Sequence, residues 1–262
     1  YSFIFLIVLI ILVIINPTKN IFKVQQRKIP PKVLNDKTLG RHNYVKIHGI
    51  KLHYVDCGNK SNTVILLLHG FPDFWFSWRH QIKVFSKNFR TIAVDLRGYG
   101  DSDKPSGCKN YRPSEIIEDL KNLLDALDIE RCILIGHDWG GVIAWQMAQL
   151  HSDRLLKYII INAPEKSVFW HYLMSSFEQF RKSWYIFFFQ MPYLPEISVS
   201  MDDLKIFENI YSTNDKMPIL NAEELEAYKY TFCKPGAFTP PLNYYRVIEI
   251  NAKKSLNNRN KE

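Results

Sequence analysis

The chain has 262 residues, 47% of them apolar, and a formal charge of +8, which suits one α/β domain with an insertion. The charge is uneven: Lys19, Lys23, Arg27, Lys28 and Lys32 stand without an acid in residues 19–32, and Lys253, Lys254, Arg259 and Lys261 face only Glu262 in the tail, while residues 33–250 are neutral. A body with no basic face argues against a nucleic-acid partner, and Cys57, Cys108, Cys132 and Cys233 lack the spacing of a metal site.

Residues 3–15 carry neither a charge nor a polar side chain. Alone they fall short of the ~20 residues that span a bilayer. Because the first residue is Tyr, they are expected to be the end of a truncated single-pass anchor over residues 1–18. Residues 19–42 then form a basic juxtamembrane linker suited to an anionic membrane surface. Its cations favour a cytosolic domain, with the endoplasmic reticulum as the expected membrane. The sequon Asn59-Lys60-Ser61 would be used only in the lumen.

The core is expected over residues 43–165. Tyr44–Ile47 and Lys51–Val55 alternate across His48-Gly49 and predict an antiparallel pair. Val64–Leu68 and Thr91–Val94 are continuous apolar runs, as expected of strands buried on both faces. A helical pattern begins near Ser77, and Pro113-Ser114-Glu115 opens an amphipathic helix to Leu127. Arg131–Ile135 is another buried strand, and residues 156–161 form the last one. Strands alternating with helices at this spacing predict a mostly parallel sheet covered by helices.

The most informative stretch is Gly136-His137-Asp138-Trp139-Gly140-Gly141. A strand that becomes a helix within two residues strains the central residue, so its neighbours must lack bulk. Asp138 then stands at the tip of a nucleophile elbow. The blander alternative is an ordinary helix N-cap, for which Asp is favoured. From residue 166 to 250 aromatic helical stretches replace strands: 183–190, 202–210, 223–232 and 242–250. This block reads as a helical lid over the carboxyl edge of the sheet, where open α/β sheets place ligands. Residues 251–262 are a basic tail.

These motifs resemble the epoxide hydrolases of the α/β-hydrolase fold, in their membrane-anchored branch, from about residue 40 to 250. The residues concerned are His69-Gly70-Phe71-Pro72, Asp95-Leu96-Arg97-Gly98-Tyr99-Gly100, the elbow, Tyr185 with Gln190, and Pro241-Leu242-Asn243-Tyr244-Tyr245-Arg246. The resemblance implies a cis bond before Pro72, Asp138 as nucleophile, and Tyr185 and Tyr245 as the groups that meet the departing oxygen. A carboxylate attacks an epoxide carbon to give an alkyl-enzyme ester, and a phenol assists without adding charge. Cleaving that ester needs two fixed N–H donors, for which the backbones of Phe71 and Trp139 are the candidates. No cofactor is required, and an aromatic lid suits a small apolar epoxide. His69 and His137 read as buried structural residues rather than bases.

Water attack on the ester needs a His oriented by a carboxylate, which in this family lies on later strands. Here no His follows His171, and the final strands of the sheet are expected to be absent. Glu165 is the candidate for the alternative acid position of some relatives. An incomplete or naturally short chain is therefore expected, either inactive or limited to one turnover. Two rivals remain at this stage. A haloalkane dehalogenase shares the Asp nucleophile but by resemblance carries Asn where Phe71 stands. A truncated, anchored, non-catalytic binding protein would account for the missing His.

Overall fold

The computed structural model describes residues 20–247. The expected anchor (residues 1–18) and basic tail (251–262) lie outside the described residues. Among the described residues, no helix is long and apolar enough to cross a membrane.

Six strands form one mixed sheet: β1 (Arg41–Ile47), β2 (Ile50–Cys57), β3 (Val64–Leu68), β4 (Arg90–Val94), β5 (Cys132–His137) and β6 (Leu155–Ile161). Their spatial order is β1-β2-β4-β3-β5-β6. The β1–β2 hairpin turns at His48 and Gly49, both at positive φ, as a two-residue turn between twisted strands requires. β2 also pairs antiparallel with β4, while the β4–β3, β3–β5 and β5–β6 pairs are parallel. Every residue of β3 and β4 is buried, in keeping with their unbroken apolar sequences.

Helices cover the sheet. A 3-10 turn at Trp75–Trp78 leads into α1 (Arg79–Phe85). α2 (Pro113–Ala126) places proline in its first turn and buries Ile116, Ile117, Leu120, Leu123 and Leu124, one face at helical spacing. α3 (Trp139–Leu150) leaves the elbow and packs on β5 and β6.

β6 is as apolar in sequence as the inner strands, yet Leu156, Tyr158, Ile159 and Ile161 are exposed. No strand follows it among the described residues, so one backbone edge of β6 has no partner there.

A helical block follows: α4 (Lys166–Ser175), α5 (Phe177–Lys182), α6 (Trp184–Phe188), α7 (Leu194–Leu204), α8 (Ile206–Ile210), α9 (Ala222–Phe232) and α10, helical over 239–247. Glu165 caps α4, Ser176 caps α5, and Asn221 with Glu224 forms a capping box on α9. The stretch predicted as one helix over 202–210 is instead broken. Asp202, Asp203 and Leu204 all have positive φ, and the chain turns there between α7 and α8.

Residues 20–39, part of the stretch 19–42 expected as a basic linker, meet the chain at that break. They are fastened to the helical block. Ile21 is buried and its carbonyl accepts from Asp202 N at 2.8 Å. The Asp203 carboxylate accepts from Gln25 N and, through both oxygens, from the Arg27 guanidinium. Arg27 also donates to Glu226 on α9. One of the cations assigned to a membrane surface is thus spent on a bidentate ion pair, whose geometry suits guanidinium and carboxylate.

Candidate active site

Asp138 sits at the tip of β5 with φ 51° and ψ −117°. Its carboxylate makes no cap bond to the helix it precedes, so the N-cap alternative does not describe it. The turn is tight enough that a side chain would not fit at its glycines. A Cβ on Gly136 would lie 2.3 Å from Gly140 O, and one on Gly70 would lie 2.4 Å from Asp138 Cβ. Gly70 thereby lets the loop after β3 approach the carboxylate directly.

That loop carries the expected cis Phe71–Pro72 bond. Phe71 N–H donates to Asp138 Oδ1 at 2.7 Å, and the nearby Trp139 N–H also favours the charged carboxylate. Burial raises the Asp138 carboxyl above its ordinary range, while these two N–H groups pull it back. One direct donor therefore holds a half-buried carboxylate at the cavity wall.

Two phenols face it. Tyr185 on α6 and Tyr245 on α10 have ring centroids 6.1 Å apart, and both line a cavity of about 600 Å³ with Asp138 and Trp139. Burial and then the Asp138 charge raise both phenols, Tyr245 well above 10.0. Tyr245 is buried, whereas Tyr185 is 38% exposed at the cavity mouth. The Trp139 indole packs edge-on against the Tyr245 ring, centroids 5.0 Å apart.

Sequence reasoning found the two tyrosines but not what aims them. Gln190 Nε2 donates to Tyr245 O at 2.8 Å and to Ile186 O at 3.2 Å, joining α6 to α10. Arg246 donates to Phe189 O, Met191 O and both oxygens of Glu196. Tyr244 OH donates to Arg97 O at 2.6 Å, and Arg97 is locked to Asp119 of α2 by a buried fork. The matching of Gln190 and Arg246 to lid motifs was the available signal. The Arg97–Asp119 pairing left none, because α2 is distant in sequence.

Glu165 lies on the cavity rim. Its Oε2 accepts from Ser167 N, Val168 N and the Ser167 hydroxyl, and that side-chain bond holds its carboxyl below the usual range. The carboxylate is thus occupied as the N-cap of α4. His69 is fully buried, with Nδ1 donating to Gly70 O and Nε2 accepting from Leu96 N, so both ring nitrogens are used. Among the described residues no histidine lines the cavity.

Residues 63–214 match the family model of the α/β hydrolase fold. The chain is 43% identical over 234 residues to epoxide hydrolase 4 of Mus musculus, covering 87% of this chain and 65% of that protein. It is 38% identical to an AB hydrolase superfamily protein of Bacillus subtilis, covering 78% of this chain and 72% of that one. A solved mutant of the Vigna radiata epoxide hydrolase superposes with TM-score 0.71 at 32% identity, covering 82% of this chain and 75% of that one. The chain belongs to the epoxide hydrolase family of α/β hydrolases. This epoxide hydrolase relative spans 65% of the length of the mouse protein. Its elbow, its cis loop and its two tyrosines come from sequence segments far apart, brought together over one cavity.

Proposed function

We propose that this chain opens an epoxide through an alkyl ester on Asp138. The observation that carries the proposal is a half-buried carboxylate, held by the Phe71 N–H beside the Trp139 N–H and facing the phenols of Tyr185 and Tyr245 across one cavity. An oxygen of Asp138 attacks an epoxide carbon. A carbon–oxygen bond forms, the ring C–O bond breaks, and its electron pair stays on the departing oxygen. The phenols donate hydrogen bonds to that oxygen, and one passes it a proton that solvent later replaces. The helical block acts as a lid that keeps the cavity dry.

Oδ1, already facing Phe71 N–H, becomes the ester carbonyl oxygen. Water attack on Cγ then places the tetrahedral oxyanion on an atom with N–H donors in place. Collapse of that intermediate releases the diol and restores the carboxylate. Activating that water needs a base, and among the described residues no histidine lines the cavity to serve as one. Phe71 packs against Phe189 and Tyr245 and offers no side-chain donor for a halide, which favours epoxide over haloalkane. In the same reading residues 1–18 anchor the chain in a membrane, with the domain on the cytosolic side.

The test is intact-protein mass spectrometry after incubation with a small aryl epoxide. An adduct of one substrate mass is expected, absent in Asp138→Asn. Labelling that persists unchanged in Asp138→Asn would end this assignment.

A further inference from the structure

Helices α4 to α6 are apolar on both sides. Inward, Phe169, Trp170, Tyr185 and Ile186 line the cavity. Outward, Tyr172, Met174, Phe177, Phe180 and Phe187 are exposed, Phe177 at 81% and Met174 at 78%. Phe180 and Phe187 touch across two helices, ring centroids 5.2 Å apart, so the outward residues form a patch. Monomeric surfaces rarely leave several large apolar side chains together in water.

Two observations say what covers it. The first is charge: Lys166, Arg181 and Lys182 on the same helices are exposed, against one acid, Glu178, which pairs with Lys182 at 2.7 Å. The second is the route of the chain. Ile21 is pinned to the α7–α8 corner, and only residues 16–20 separate it from the apolar run at 3–15. Five residues reach at most about 18 Å. By sequence, the run is therefore tethered to a residue that the helical block holds. The exposed face of β6 differs in kind, since it offers a free backbone edge that another strand can pair with, whereas these helices offer side chains alone.

We propose that the outer face of α4–α6 docks on an anionic lipid bilayer, with Phe177 and its neighbours in the interface and Arg181, Lys182 and Lys166 among the headgroups. Aromatic and aliphatic side chains beside cations are the composition of an interfacial helix face. The cavity beside Asp138 then opens close to the phase in which an apolar substrate would concentrate. The docking stands on its own geometry, whether or not Asp138 forms an ester.

The test uses the full chain reconstituted in phosphatidylcholine vesicles with and without phosphatidylserine. Phe177→Cys, Met174→Cys and, on the β2–β3 loop, Lys60→Cys are each labelled with an environment-sensitive fluorophore. The unsubstituted chain corrects for labelling of native cysteines. Lipids carrying a shallow nitroxide should quench at 174 and 177 and spare 60, more strongly with phosphatidylserine present. Adding Arg181→Glu and Lys182→Glu should lower the docked-to-undocked ratio about fivefold per cation removed. Equal quenching at all three positions, or none at 174 and 177, overturns the proposal. So does a signal at 177 that follows protein concentration and not lipid, which would mean that a second copy covers the face.

Discussion

Replacing Tyr245 by Phe removes one hydroxyl and leaves the ring to fill the same space against Phe71, Trp139 and Phe189. The departing epoxide oxygen would lose a donor in a dry site, and loss of one such donor typically costs ~10²–10³ in rate, or about 2.7–4 kcal/mol. Tyr185 is 38% exposed, so water can replace part of its contribution, and Tyr185→Phe should cost about tenfold. The assay is the initial rate of ester formation by intact-protein mass spectrometry, with urea midpoints measured in parallel. Both variants must be well folded under the labelling conditions. If Tyr245→Phe labels at the parent rate, or if Tyr185→Phe is the slower of the two, the buried phenol is not the main support of the departing oxygen.

Ester formation needs Asp138 as carboxylate, and burial raises its pKa, so the labelling rate should fall at a pH above the ordinary carboxylate range. It should stay flat to about pH 10, because Tyr245 is held well above that value. Stability runs the other way: a carboxyl whose folded pKa is raised destabilises the fold as pH rises through that pKa. Asp138→Asn should therefore be the more stable protein at neutral pH and lose that advantage in acid, read from urea midpoints across pH. Asp119→Ala strands the Arg97 guanidinium and should cost about 3–5 kcal/mol, while Arg97→Met with Asp119→Leu should recover most of it in the same denaturation assay. Asn59, exposed beside Ser61, should remain unglycosylated in cells, and a glycosidase-sensitive mass shift lost in Asn59→Gln would place the domain in the lumen.

Much of the fold was legible locally. Uninterrupted runs such as Val64–Leu68 suit inner strands, because no polar residue offers a wet face. The elbow announced itself through Gly136, Gly140 and Gly141, since bulk at those positions collides with backbone. The helical block was harder. α4 carries apolar residues on most of its faces, so no amphipathic period marks it, and the α7–α8 break lies where Asp203 pairs with Arg27, far off in sequence. The expected linker was misjudged for the same reason: the charge of Arg27 is visible in sequence, but its partners Asp203 and Glu226 are not.

What the sequence determined by itself is chemistry of short range. It names the residue types and spacings that make an elbow, a cis loop and two lid motifs, because each depends on neighbours within a few positions. Only the tertiary structure decided which atoms meet. It set Phe71 N–H on Asp138 Oδ1, Gln190 Nε2 on the Tyr245 carbonyl and the Tyr244 hydroxyl on the Arg97 carbonyl. Those contacts join residues up to more than a hundred positions apart, and hydrogen-bond direction depends on where both partners finish, which no local pattern encodes.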